Sequence, residues 1–210
     1  MGDKLKKLRL LALGLGVAAV SWGGAYAYMI VNTKDALNYT EIIENIEESV
    51  YDGDTILDVP VLLYRFEDAE PFAPADIWPG IQKRTDGIYA LSDIRLRGID
   101  APEHRVSTSL SEEERNRIKA RAAAAEAFLE DLIKLSIVPG LITIRNPAPD
   151  LYSGRVLADV IVYHVDYIPG SGAEGGEVNV ADALVKAGLA VPYDGGEKTF
   201  DWGAETLVFD

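Results

Sequence analysis

The sequence predicts a mainly β, α+β domain behind an apolar N-terminal segment, on three observations. Short alternating or β-branched stretches recur between Ser49 and Val165; helical patterns are interspersed after Ser111 and after Asn179; and the 22 residues from Leu10 to Val31 carry no charge. Short strands with helices among them suit a small closed barrel better than a parallel sheet. A chain of 210 residues with 48% apolar content has room for one domain with a real core, plus appendages.

Taken in order, residues 1–9 form a basic flank with Lys4, Lys6, Lys7 and Arg9. Residues 10–31 are long enough to span a bilayer as a transmembrane helix, and the flanking cations predict a single pass with the N-terminus cytoplasmic and the rest exported. Ala25-Tyr26-Ala27 also fits a signal-peptide cleavage site, which would give a secreted protein instead. The apolar run continues past that site to Val31, which favours the uncleaved anchor. Residues 32–47 read as a polar tether, residues 48–203 as the domain, and residues 204–210 as a tail.

Within the domain, a strand region spans about Ser49 to Tyr64 and is interrupted near Asp58 and Pro60. A loop from Phe66 to Gly87, with three prolines, is long enough to make a lobe or rim. Ser111-Glu112-Glu113-Glu114 is a capping box, and Ile118, Ala122, Ala125, Phe128 and Leu132 follow at helical spacing until Pro139-Gly140. The alanines from Ala122 to Ala125 predict close packing against the sheet. Strands follow at Leu141–Arg145 and Arg155–Val165, with Val156, Ala158, Val160 and Val162 on one face. The glycine-rich stretch Asp166–Gly176 reads as a hairpin excursion, and a second helix runs from the N-cap Asn179 to Gly188.

Composition limits the chemistry. There is no cysteine, so disulfides, zinc–cysteine sites and thiol nucleophiles are excluded. The two histidines, His104 and His164, argue against a histidine triad or a multi-histidine metal site, so any metal must be held by oxygen. Oxygen ligands suit hard ions such as calcium or magnesium. The formal charge is −14; without residues 1–31 it is −17, from 16 basic and 33 acidic groups. Such a field repels polyanions, so affinity for nucleic acid must come from a local site.

That local site is readable at Ile94–Glu103. An alternating strand aims Arg95 and Arg97 to one face and Ile94 and Leu96 to the other, and the turn after it carries Asp100, Pro102 and Glu103. A cation for a phosphate, a carboxylate for a metal and a carboxylate for a base thus meet at one strand end. Upstream, Asp52-Gly53-Asp54-Thr55 is a tight turn with two carboxylates entering a strand. Downstream, Tyr152-Ser153-Gly154-Arg155 is a turn that delivers one arginine to a strand head.

With Asn179–Ala190, these pieces resemble the thermonuclease family, the staphylococcal-nuclease-like domains, over residues 48 to 203. The resemblance implies a five-stranded OB-fold-type barrel with helices packed outside. It implies a calcium-dependent nuclease that cleaves DNA and RNA and leaves 3′-phosphate ends. By resemblance, Asp54, Asp100 and the backbone carbonyl of Ala101 hold the Ca2+, Asp52 lies near it and holds water, Glu103 is the general base, and Arg95 and Arg155 grip the phosphate. Tyr152 and Tyr193 are candidates to stack on a base or ribose. Two departures stand out: better-known members have threonine at the place of Ala101, and their Tyr-Gly-Arg turn is one residue shorter than Tyr152–Arg155. A subgroup with an extra residue there, and with a segment like Pro192–Gly196, looks closest. Single strands are the expected substrate, because a small site on an acidic body holds a stiff duplex poorly. The rival readings are a non-catalytic OB-type binding module and an anchored component of an envelope complex. No protein partner is evident in the sequence.

Overall fold

The computed structural model describes residues 38–66, 75–150, 153–164 and 176–208. Eleven strands and three helices follow one another in these residues. They are β1 (Tyr39–Ile42), α1 (Ile46–Ser49), β2 (Val50–Asp52), β3 (Thr55–Arg65), β4 (Ala75–Trp78), β5 (Ile81–Lys83), β6 (Gly87–Leu96), β7 (Ile99–Asp100), α2 (Glu112–Lys134), β8 (Leu141–Pro149), β9 (Val156–His164), β10 (Gly176–Asn179), α3 (Val180–Lys186) and β11 (Val191–Pro192). Nine strands form one mixed sheet along the path β1-β8-β9-β6-β3-β2, with β10 on β9 and the β4–β5 hairpin on β6; β7 and β11 form a separate pair.

The mainly β architecture with a few packed helices is as expected, but the five-stranded barrel does not close. Each strand has only two edges for hydrogen bonds, and the long strands divide theirs. One edge of β6 pairs with β5 at Ile88–Ala90 and with β9 at Ile94–Leu96. The strand β9 likewise serves β6 near its start and β10 from Ile161 to His164. The sheet therefore branches, and its path ends at β1 and β2 without their pairing among the described residues. Coiling comes from bulges: register shifts in β3 and β8 accompany the left-handed residues Asp58 (φ 53°) and Asn146 (φ 50°). Asp and Asn are the residues that tolerate this conformation best after glycine.

Two other expectations change. Residues 39–47 are not a tether: β1 pairs with β8, and Tyr39, Ile43 and Ile46 are buried in the core. Alternation in Tyr39–Ile42 was the available signal, and a polar composition hid it. The stretch 66–87 is not one loop, since residues 75–83 form the β4–β5 hairpin on the sheet; residues 67–74 lie outside the described residues. The predicted span 10–31 also lies outside them, and no helix among the described residues is long and apolar enough to cross a membrane.

The helices follow their sequence signals. The Ser111 side chain accepts from the Glu114 N–H while Glu114 reaches back to Ser111 N–H, so the capping box forms. The buried face of α2 is Ala122, Ala125, Leu129, Leu132 and Ile133. Asn179 caps α3 by accepting from Ala181 and Asp182 N–H. All four predicted face residues of β9 are buried. The connection that decides the site is the parallel pairing of β6 and β9, Arg95 opposite Leu157, with Arg95 opposite Thr55 on its other side. The start of β3, the end of β6 and the start of β9 are thereby brought level.

Candidate active site

The β2–β3 turn is fixed at both ends. Asp52 Oδ1 accepts from the Asp54 N–H at 3.2 Å, an Asx-type closure of the turn. A Cβ placed on Gly53 would lie 2.5 Å from the Cβ of Ala125 and 2.9 Å from that of Ala101. Only glycine lets α2 and the Ala101 turn press on this hairpin, which accounts for Ala125; of the four alanines expected to pack closely, Ala122 and Ala125 are buried, while Ala123 and Ala124 are exposed. Asp54, 2% exposed, accepts from Arg95 Nη1 at 3.1 Å and from Thr55 Oγ1 at 3.0 Å on Oδ1. Its Oδ2 meets Arg95 Nη2 at 3.0 Å and the Ala101 N–H at 3.1 Å. Burial pushes the Asp54 carboxyl up to about 6 although Arg95 pulls it down; the neighbouring Asp52 adds to the rise, and the bonds from Ala101 and Thr55 oppose it.

Arg95 is itself 8% exposed and ties the two acidic segments together, because its Nη2 also lies 3.6 Å from Asp100 Oδ1. Asp100 is buried, held by β7–β11 pairing opposite Val191. Its Oδ2 accepts from the Trp202 indole N–H at 3.2 Å, and its Oδ1 meets Lys198 Nζ at 2.7 Å. Ala101 and Pro102 are buried, and Glu103 after them has a side chain 53% exposed that meets Lys198 Nζ at 2.6 Å. Burial works against the charge on Lys198, but the hydrogen bonds from its ammonium to Asp100 and Glu103 outweigh it and hold Lys198 above the usual lysine range.

Arg155 reaches the same cluster despite the longer turn. The turn closes through Asp150 N–H to the Arg155 carbonyl and Gly154 N–H to the Asp150 carbonyl, with Gly154 at φ 74°. The extra residue works as a prop: Ser153 Oγ donates to Asp150 and accepts from Arg155 Nε at 2.8 Å. The guanidinium is thus turned so that Nη1 donates to Thr55 Oγ1 at 3.2 Å, one bond away from Asp54. Arg97 goes elsewhere, to the carbonyls of Asn146 and Leu157 and to Asp159. The hydroxyl of Tyr193 is tied to the Gly196 carbonyl at 2.7 Å, within its own turn. Tyr152 lies outside the described residues.

Asp52, Asp54, Arg95, Asp100, Ala101, Glu103 and Arg155 are therefore neighbours. Sequence reasoning missed Thr55 as the link between Arg155 and Asp54, and missed Lys198 and Trp202 entirely. Thr55 directly follows Asp54 in the turn Asp52–Thr55. Lys198 and Trp202 lie about a hundred positions from Asp100 and carry no local pattern that points to it. Their segment is anchored by α2: Arg117 Nε donates to the Gly203 carbonyl at 2.8 Å, and Arg121 Nη1 to the Trp202 and Ala204 carbonyls. A groove of about 240 Å³ beside Glu103 is lined by Asp100, Arg105, Lys198, Phe200 and Trp202.

The donor set suits a hard divalent ion. Arg95 Nη2 touches both carboxylates, so Asp54 and Asp100 stand side by side, and the buried Asp100 Oδ1 faces two cations, Arg95 and Lys198. Among the described residues no group of three or more His, Cys, Asp or Glu side chains is arranged to hold a metal. Two carboxylates would thus need further oxygens from backbone, water or phosphate, which calcium accepts readily.

Residues 93–205 match the family model described as staphylococcal nuclease homologue. That stretch contains Arg95, Asp100, Glu103 and Arg155, while Asp52 and Asp54 precede it and join through the pairing of Thr55 with Arg95. No curated protein matches the chain.

Proposed function

The chain belongs to the staphylococcal nuclease homologue family, and from that premise we propose that it is a calcium-dependent nuclease hydrolysing phosphodiester bonds in DNA and RNA with broad specificity. The observation that carries this reading is the convergence of Arg95, Arg155 and Asp54 at three adjacent strand ends, with Asp100 of β7 against Arg95 and Glu103 on the open side. Nucleases of this family typically use Ca2+. Held by Asp54 and Asp100, with the Ala101 carbonyl, the ion would neutralise charge on a phosphate oxygen and lower the barrier to attack.

The chain's own groups do the remaining work. Arg95 and Arg155 present forked donors to the phosphoryl oxygens and stabilise the charge that builds there. Glu103 takes a proton from the attacking water, whose oxygen bonds to phosphorus as the bond to the 5′-oxygen breaks. The departing oxygen takes a proton from solvent, and a 3′-phosphate end remains. Asp52 shapes the turn behind Asp54 and would hold water near the ion. Single strands are the preferred substrate, since the local site stands on an acidic body. Residues 10–31 anchor the protein in the membrane with the nuclease domain exported, or direct its secretion.

The test is incubation of the full-length chain with a labelled single-stranded oligonucleotide, in calcium and in excess EDTA. Cleavage confined to calcium, with 3′-phosphate products, is the expected result. Undiminished cleavage in EDTA overturns the metal assignment, and binding without cleavage in calcium identifies a non-catalytic module.

A further inference from the structure

Lys198 holds an unusual place for a flexible lysine. Its Nζ lies 2.7 Å from Asp100 Oδ1 and 2.6 Å from Glu103 Oε1, both within charge-assisted hydrogen-bond range. The other oxygen of Asp100 is taken by the Trp202 indole N–H. Oδ1 is therefore the oxygen that Asp100 has left for a cation, and Lys198 shares it. The side chain is 40% exposed on a segment without regular secondary structure, whereas Trp202, four residues on, is buried and fixed through its carbonyl to Arg121. Trp202 can hold Asp100 in place while the lysine stem swings away.

We propose that Lys198 is an internal counter-ion of the active site, which competes with a divalent ion for Asp100 and holds Glu103 until the ion displaces it. The inference rests on the nuclease reading above and adds a residue to that same site. Two consequences follow from charge alone. A divalent ion must replace an ammonium that already sits on its ligand, so ion binding is weaker than the two carboxylates by themselves would give. Glu103 is paired while Lys198 is in place and released when it leaves, so the base is freed by ion binding.

The experiment is isothermal titration of the full-length protein with calcium chloride in the absence of nucleic acid. Wild type is compared with Lys198→Met and Lys198→Gln, which remove the charge, and with Trp202→Phe, which removes the indole donor and no charge. The two lysine variants should bind calcium roughly tenfold more tightly or better, and Trp202→Phe should not. A second measurement needs no variant: calcium should free the Lys198 side chain in wild type, read as sharpening and shift of its ε-methylene NMR signals. Unchanged or weaker binding in both lysine variants, or a Lys198 signal that calcium leaves in place, overturns the proposal while wild-type calcium binding leaves the metal reading intact. Failure of wild type and variants alike to bind calcium overturns both.

Discussion

Arg95 and Arg155 share one proposed task but stand in different surroundings, and substitution should separate them. Arg95 is buried against Asp54 and Asp100, so Arg95→Lys removes the fork that satisfies Asp54 and should lower both turnover and thermal stability. Arg155 is partly exposed and bonded to Ser153 and Thr55. Arg155→Lys should cost turnover by about a hundredfold, as loss of one oriented donor does, with a melting temperature close to wild type. Single-turnover cleavage and thermal melts on both variants check this; a nearly silent Arg155→Lys would remove that residue from the chemistry. Glu103→Gln should lower turnover by roughly a hundredfold or more with little change in oligonucleotide affinity. Asp54 gives a pH signature in ion-free protein. Its carboxyl rises from 3.8 to about 6 on folding, so the stability it contributes is present below its unfolded value and is lost as pH rises through about 6. Denaturation in EDTA across pH 4 to 7 should therefore show a downward component, near 1.4 kcal/mol per pH unit at most, that Asp54→Asn lacks. Identical slopes in the two proteins would refute it.

At the scale of elements, the site depends on how closely α2 approaches the β2–β3 hairpin. The Cβ of an alanine at position 53 would fall 2.5 Å from that of Ala125. Gly53→Ala should destabilise the fold by about 1–3 kcal/mol through overpacking, and should weaken calcium binding by shifting Asp54. The compensating change Ala125→Gly costs about 1 kcal/mol alone in a helix interior. In the double variant the two costs should fall well short of additive, since one removes the atom that the other meets. Urea denaturation of the four proteins measures that coupling, and strict additivity would place the clash elsewhere. Ala101 closes the same turn from the other side: its Cβ would lie 2.9 Å from a Cβ at 53. The bulges at Asp58 and Asn146 lie farther along β3 and β8, the strands that pair with β6 and β9.

For the whole molecule, charge would set how the proposed substrate is captured. With a formal charge of −14, the body opposes the approach of a polyanion, so on the proposed reading attraction comes from Arg95 and Arg155. Oligonucleotide binding should then show a shallow salt dependence. Two phosphate-contacting arginines on a single strand give a slope of log K against log salt no steeper than about −1.4. Fluorescence anisotropy from 50 to 200 mM salt (conditions on the order of those where such slopes are read) tests this, and a slope several times steeper would reveal a basic track that the charge distribution does not suggest.

The sequence by itself determined the pieces whose causes are local. The capping box at Ser111, the N-cap Asn179, the buried face of β9 and the turn Asp52–Asp54 depend on neighbours within a few positions, and each formed as its residues dictate. The set Asp54, Arg95, Asp100, Glu103 and Arg155 was legible because these residue types stood in short ordered motifs. Strand partnership was not legible, because hydrogen-bonding edges carry no side-chain code. The division of β6 and β9 between two partners each, which opened the expected barrel, was decided only in three dimensions. So was the enlistment of β1 from a polar stretch, where burial of Tyr39 and Ile43 outweighs composition. Lys198 and Trp202 show the same limit at the site itself: their place beside Asp100 follows from a chain return across about a hundred residues, fixed by Arg117 and Arg121 on backbone carbonyls. A side chain's chemistry is written in its residue type; its partner is set by the packing that brings distant segments together.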